Sequence, residues 1–222
     1  MKGFITAIVL TLFFVLACNN DKAPATDVNN AANKKDSVAK SKTIVFFGNS
    51  LTAGYGLTPS DAFPSLIQIK IDSLGLPYKV VNAGVSGETS TGGNSRIDWI
   101  LKQPMDIFVL ELGANDGLRG IPLSQTRESL QSIIDKVKAK YPSVKLVLAG
   151  MQIPPNMGAA YTTEFKNLYS QLAEKNKMAL IPFLLEGVGG DAGLNQEDGI
   201  HPTAEGHKIL AENVWRALKP LM

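Results

Sequence analysis

Residues 43–48 read TIVFFG, a short, continuously apolar run of β-branched and aromatic side chains. Such a run is typical of a strand that is buried on both faces of a parallel sheet. Similar runs recur along the chain, and the last of them is interrupted by Pro182, which disfavours regular strand structure. The later runs are YKVVNAG (78–84), DIFVLELG (106–113), VKLVLAG (144–150) and MALIPFLL (178–185).

Stretches with helical spacing separate these predicted strands. A Gly/Ser/Thr-rich loop precedes the second helix, which we expect only around Arg96–Lys102, and Ser124 is the candidate cap of the third. Strands that alternate with helices indicate an α/β fold, a three-layer α/β/α sandwich around a central, mostly parallel five-stranded sheet. The helical stretches are residues 61–75, 96–102, 124–141, 160–177 and 203–221.

Composition bounds the function. The 222 residues carry a net charge of +2 without a long basic run, so nucleic-acid binding has no electrostatic support. The single cysteine excludes an internal disulfide framework and a cysteine-based metal cluster. With only two histidines as well, we expect no metal and no cofactor. Residues 43–222 are predicted to form one domain.

The N-terminus reads MKGFITAIVLTLFFVLACNN, an apolar run too short to span a membrane, with one leading lysine. Residues 15–17 before Cys18 resemble the lipobox of bacterial lipoproteins. This predicts a signal peptide over residues 1–17, a lipidated Cys18, and a disordered tether over 18–42 with a reach of roughly 25 Å. We therefore expect a lipoprotein anchored in the bacterial cell envelope, facing the periplasm or the exterior. An ordinary secreted protein is the alternative.

Three loops that follow predicted strands carry residues suited to acyl transfer. Ser50 in GNSLTAGYG (48–56) is either a helix cap or a nucleophile. Gly87 in NAGVSGETS (82–90) either forms a flexible turn or exposes an N–H to developing negative charge. Asn115 in ELGANDGLRG (111–120) either makes an Asx-turn or donates to an oxyanion, and Asp116 beside it is expected to brace the loop.

Both histidines lie in DGIHPTAEGH (198–207). Asp198 and His201 are close enough for one loop to present an acid that orients an imidazole, which would then deprotonate a serine. A polar loop that caps the last helix is the alternative. His207 falls on another face of that helix, so we expect it at the surface or in the core.

These motifs resemble the SGNH (GDSL-type) hydrolases, from about residue 42 to the C-terminus. GNSLTAGYGL, VSGETS, ELGANDGLRG, MQIPPN and DGIHP are similar to the branch of bacterial acyl-CoA thioesterase I, also called lysophospholipase L1 or arylesterase. The resemblance implies the flavodoxin-like SGNH fold and a catalytic triad of Ser50, His201 and Asp198. It also implies an oxyanion hole made by Ser50, Gly87 and Asn115.

The family resemblance implies a serine esterase for single-acyl-chain substrates, namely lysophospholipids, fatty acyl esters or thioesters. The loop after the fourth strand would supply an apolar wall, made by Met151, Ile153, Pro154 and Pro155. The family motif usually has Asp where this chain has Asn49. The alternatives are a carbohydrate O-acetyl esterase and a non-catalytic envelope binding protein, and we expect a monomer or a weak oligomer.

The lipobox predicts that the chain is acylated at Cys18. Cells that express the full chain should incorporate radioactive palmitate into it, and the Cys18→Ala variant should incorporate none, because the thiol is the acylation site. Equal labelling of both proteins would contradict the prediction.

Overall fold

The structure, a computed structural model, describes residues 41–154 and 157–222. The predictions for the signal peptide, for Cys18, for nearly all of the tether and for Pro155 lie outside these residues. No helix in the described ranges is long and apolar enough to cross a membrane.

Five strands form one sheet in the order β2-β1-β3-β4-β5, and every neighbouring pair is parallel. This is the flavodoxin-like order, in which the chain winds outward in both directions from β1. The predicted fold class is confirmed. The strands are β1 (Lys42–Gly48), β2 (Tyr78–Gly84), β3 (Ile107–Glu111), β4 (Lys145–Ala149) and β5 (Ala179–Ile181).

The helices cover both faces of the sheet. Crossovers between parallel strands are right-handed, so helices that connect strands in opposite directions along the sheet lie on opposite faces. They are α1 (Ser50–Ala53), α2 (Phe63–Ser73), α3 (Ser90–Ile100), α4 (Ala114–Leu118), α5 (Leu123–Lys140), α6 (Ala159–Asn176) and α7 (Ala204–Leu218). One layer contains α2 packed on α7, and the other contains α3 on α5 and α5 on α6. The short helix α4 was not predicted. A helix does begin at Ser50, but its cap is Asn49, whose side chain accepts the Leu51 N–H.

The central strand β1 is buried on both faces, as its sequence predicts. Phe46 meets Phe63 of α2 edge to face, with ring centroids 5.4 Å apart. Phe47 points to the opposite layer, where its ring lies 5.6 Å from that of Phe108. The Arg96 guanidinium of α3 lies 4.0 Å from the Phe47 centroid, in a cation–π contact.

Helix α3 begins at Ser90, six residues before the predicted start. The Thr89 side chain caps it by accepting the Gly92 N–H. Gly92 and Gly93, which suggested a loop, lie inside the helix, and Gly93 permits close packing on the sheet: a Cβ there would lie 2.4 Å from Leu112 Cδ1. Close contact between the helix and the sheet is thus the reason for a glycine at position 93 of α3.

Two further boundaries differ from the prediction. Helix α5 begins at Leu123 after Pro122, so Ser124 lies in its first turn and is not the cap. Strand β5 is limited to Ala179–Ile181, because Pro182 has no N–H to donate to a neighbouring strand.

His207 lies in the core and is 1% exposed. The sequence leaves both the core and the surface open for this residue. Its Nδ1 accepts the Phe63 N–H at 3.1 Å, and its ring stacks on the Phe63 ring with centroids 6.1 Å apart. Burial lowers the pKa of the His207 imidazole from 6.5 to about 4. The ring therefore stays neutral at neutral pH and ties α7 to the start of α2.

The lowered pKa of His207 predicts that acid destabilises the folded protein. His207→Asn should remove this effect, because asparagine has no titrating group, and its side-chain oxygen can still accept the Phe63 N–H. As the pH falls from 6.5 to 4, the unfolded chain binds a proton that the folded ring excludes. The wild type should then lose on the order of 3 kcal/mol of unfolding free energy relative to the variant. Urea unfolding across this range measures the difference, and parallel pH profiles would contradict the prediction.

Candidate active site

The carboxyl ends of the five parallel strands meet at one edge of the sheet, and the loops that leave them enclose a cavity of about 530 Å³. Ligands of open α/β sheets bind at this edge. Ser50, Gly87, Asn115 and His201, which come from four separate loops, all line the cavity. A second cavity of about 470 Å³ lies between α5 and α6. It is lined mostly by charged and polar side chains and contains none of the predicted site residues.

Ser50 stands at the N-terminus of α1, directly after β1. Its Oγ lies 2.9 Å from His201 Nε2, although 151 positions separate the two residues. His201 Nδ1 lies 2.6 Å from Asp198 Oδ2, so serine, imidazole and carboxylate form one hydrogen-bonded chain. Asp198 Oδ1 accepts the N–H groups of Ile200 and His201, both at 3.0 Å, which fixes the carboxylate against its own loop.

Hydrogen bonds keep the Asp198 carboxylate ionised. The side-chain hydrogen bond with His201, followed by the two backbone N–H groups, lowers the pKa of Asp198 to about 2. A carboxylate at Nδ1 holds that nitrogen protonated and leaves Nε2 to accept the serine proton. The Tyr55 ring lies against the imidazole with centroids 4.6 Å apart, a contact that the sequence did not indicate.

The loop that carries Gly87 is fixed from both sides. Gly87 has a φ of 78°, which favours glycine, and Arg119 donates to its carbonyl at 2.9 Å. Asn115 Nδ2 donates to the Glu88 carbonyl at 2.9 Å, which orients the amide. In the described ranges, the backbone N–H groups of Ser50 and Gly87 donate to no protein acceptor. They are therefore available to a ligand in the cavity.

An ion pair ties this loop to the end of β1. Arg96 donates to both carboxylate oxygens of Glu88 at 2.6 Å, and its Nη2 also donates to the Ala83 and Gly48 carbonyls at 2.8 and 3.4 Å. The Glu88 side chain is only 7% exposed, so solvent screens the pair weakly. The contacts of Arg96 therefore hold the loops after β1 and β2 at a fixed separation.

Asp116 braces the α3–α4 region, as predicted for it. Its carboxylate accepts the Ser90 N–H at 2.8 Å, the Ser90 hydroxyl at 2.5 Å and the Thr126 hydroxyl at 3.3 Å. The side chain is fully buried and belongs to the scaffold beneath Asn115.

A buried carboxylate lies directly behind the serine. Glu111, the last residue of β3, is 1% exposed, and it accepts hydrogen bonds from the Asn49 N–H, from Asn49 Nδ2 and from the Thr52 hydroxyl. Burial raises its pKa to about 7, and the three donors act in the opposite direction. Gly48 leaves room for this cluster, since a Cβ there would lie 2.1 Å from Thr52 Oγ1.

The cavity has apolar walls. Met151 and Ile153, from the loop after β4, are buried, Pro154 is exposed, and all three line the cavity, whereas Pro155 lies outside the described residues. Sequence reasoning missed six other apolar lining residues: Leu51, Ala114, Leu118, Phe183, Leu185 and Ile200. Phe183 and Leu185 were assigned to the fifth strand, and the stop at Pro182 was the signal that they lie in a loop.

No group of three or more His, Cys, Asp and Glu side chains in the described ranges is arranged to hold a metal ion. The cavity thus offers a serine, an imidazole, free N–H groups and an apolar wall. A serine, an imidazole and a carboxylate in one hydrogen-bonded chain are the groups that serine hydrolases use, here carried by a flavodoxin-like sheet.

Comparison with known proteins agrees with this class. The sequence pattern of the GDSL-like Lipase/Acylhydrolase family matches residues 46–209. The chain belongs to this family, and the predicted membership of the SGNH (GDSL-type) hydrolases is confirmed.

Two curated relatives cover most of the chain. "Esterase TesA" of Pseudomonas aeruginosa is 42% identical over 185 residues, which are 83% of this chain and 91% of that protein. "Thioesterase 1/protease 1/lysophospholipase L1" of Escherichia coli K12 is 37% identical over 185 residues, 83% of this chain and 86% of that protein.

Among solved structures, a crystal structure of TesA superposes with a TM-score of 0.78 at 42% identity, covering 82% of this chain and all of that one. The psychrotrophic esterase EstA of Pseudoalteromonas sp., inhibited by monoethylphosphonate, superposes with a TM-score of 0.76 at 32% identity. It covers 81% of this chain and 97% of that chain.

Proposed function

We propose that this protein is a serine esterase that hydrolyses carboxylic esters or thioesters of single-chain acyl groups. The observation that carries the proposal is the hydrogen-bonded chain Ser50–His201–Asp198 at the mouth of an apolar cavity. The names of the relatives, an esterase and a thioesterase/lysophospholipase, support the same reaction class.

In the first half of the reaction, Ser50 Oγ attacks the acyl carbonyl carbon while His201 Nε2 takes the hydroxyl proton. The carbonyl electron pair moves onto oxygen, and the ionised Asp198 stabilises the imidazolium. Collapse of the tetrahedral intermediate expels the alcohol or thiol, which receives the proton from His201. The product that stays on the enzyme is an acyl-Ser50 ester.

In the second half, water attacks the acyl-Ser50 ester with His201 as base, and the fatty acid leaves as Ser50 recovers its proton. The negative charge that forms in both tetrahedral intermediates needs donors fixed in advance. The Ser50 N–H, the Gly87 N–H and the Asn115 amide are proposed for that role. The hydrogen bond from Asn115 to the Glu88 carbonyl leaves its second amide hydrogen for the oxyanion.

We also propose that the enzyme works in the bacterial envelope as a lipoprotein anchored through Cys18. The sequence around residues 1–18 supports this location, and the cytoplasmic pool of acyl-CoA then disfavours acyl-CoA as substrate. Lys42 begins β1 at the amino ends of the parallel strands, whereas the cavity lies at their carboxyl ends.

Ser50→Ala tests the nucleophile. It should lower kcat for p-nitrophenyl octanoate by about 10⁴-fold or more and abolish covalent labelling by a fluorophosphonate probe, because both reactions need the Ser50 hydroxyl. Ser60→Ala, at an exposed serine, is the matched control and should behave like the wild type. An active or labelled Ser50→Ala protein would reject the proposal, and a wild type without any adduct would favour the binding-protein alternative.

The apolar walls predict a preference for chains longer than acetyl, so kcat/KM for the octanoyl ester should equal or exceed that for the acetyl ester. Leu118→Trp, which fills part of the cavity, should lower kcat/KM for octanoyl about tenfold or more while acetyl changes little. Leu74→Trp makes the same change at an exposed leucine that follows α2 and should alter neither. A strong preference for acetyl would point instead to the carbohydrate O-acetyl esterase.

A further inference from the structure

The residue that departs from the family motif, Asn49, connects the buried Glu111 to the serine. Asn49 Nδ2 lies 2.7 Å from Glu111 Oε1, and Asn49 Oδ1 accepts the Leu51 N–H at 3.0 Å and lies 3.4 Å from Ser50 Oγ. Both side chains are 1% exposed. The reaction steps above use neither of them.

The partners fix the orientation of the Asn49 amide. The Leu51 N–H can only donate, so the oxygen must face it, and the NH₂ group must then face Glu111. Glu111 in turn meets only donors, from Asn49 and from the Thr52 hydroxyl, which suits a carboxylate without a proton. Protonated Glu111 would lose one of these bonds, so the network is complete only with one negative charge at position 111.

An aspartate at position 49, as in the usual motif, could not make this network as it stands. Its second oxygen would lie where Asn49 Nδ2 lies, 2.7 Å from Glu111 Oε1, and two carboxylates at that distance must share a proton. Asn49 with ionised Glu111 carries the same single negative charge as such a pair, and its N–H replaces the shared O–H.

We propose that Asn49 is a positioning residue for Ser50, which works as the amide partner of Glu111 in its ionised form, so that no proton is shared between residues 49 and 111. This inference rests on the proposed function for the role of Ser50. The hydrogen bonds to Leu51 and Glu111 fix the turn between β1 and α1, and this sets the position of Ser50 Oγ opposite His201.

The other ionisable groups around Glu111 are not expected to take up a proton when residue 49 becomes aspartate. Tyr169 of α6 donates to the Leu112 carbonyl, and burial raises its pKa well above the ordinary value, so it stays neutral. Arg96 of α3 is paired with Glu88, Asp116 of α4 accepts three hydrogen bonds, and His201 lies on the far side of Ser50.

The test exchanges the amide and the carboxylate. Asn49→Asp, Glu111→Gln and the double variant Asn49→Asp/Glu111→Gln are compared with the wild type, and Thr52→Val is the control that removes one donor to Glu111 without touching Asn49. In Glu111→Gln a donor faces a donor, so kcat should fall about tenfold or more with KM little changed. In the double variant the carboxylate at position 49 accepts a hydrogen bond from the amide at position 111, so a donor again faces an acceptor. Its kcat should recover to within about threefold of the wild type.

Proton binding gives an independent reading. Asn49→Asp should bind one extra proton on folding, so between pH 7.5 and 9 its unfolding equilibrium constant should rise about tenfold per pH unit relative to the wild type. The double variant and Thr52→Val should lack this slope. Its absence from Asn49→Asp would overturn the proposal, as would activity losses that simply multiply in the double variant.

This second reading does not depend on catalysis. If the wild type hydrolysed no ester and took no fluorophosphonate, the proposed function would fail, while the pH dependence of unfolding would still report whether residues 49 and 111 share a proton in Asn49→Asp.

Discussion

The site depends on one hydrogen bond, from Ser50 Oγ to His201 Nε2, which joins the first strand of the domain to the loop before its last helix. Two side chains so far apart in sequence meet because both lie at the carboxyl edge of a parallel sheet. Right-handed crossovers return the chain to the same edge after every helix, and β1 lies inside the sheet with β2 and β3 on either side. The order of strands therefore sets the geometry of the Ser50–His201 pair.

Close packing at that edge makes the geometry rigid. Gly48 and Gly84 end adjacent strands, and a Cβ on either one would overlap α1: Gly84 Cβ would lie 2.3 Å from the Ala53 N atom. Small residues at these positions let the helix that carries Ser50 lie directly on the strand ends. The Arg96–Glu88 ion pair holds the neighbouring loop in the same frame. A rigid frame matters because donors to an oxyanion are effective only when they are placed beforehand.

Two negative charges serve different purposes at this site. Asp198 lies partly in solvent and is held ionised by its hydrogen bonds, so it can stabilise an imidazolium. Glu111 is buried, and its charge depends on donors from Asn49 and Thr52. The same functional group thus orients an imidazole on one side of Ser50 and fixes a turn on the other, because burial and hydrogen bonding differ.

The sequence by itself determined the order of the main strands and helices, since apolar runs and helical periodicity are local. It also marked Ser50, Asn115 and His201, since each follows or precedes a recognisable element. Tertiary structure decided what local patterns cannot encode. Helix α3 contains two glycines, and Gly93 lets it pack closely on Phe47 and Leu112. Glu111, inside a strand sequence, meets Asn49 only because β1 and β3 are neighbours. Contacts of this kind follow from how distant segments pack, and no window of sequence contains them.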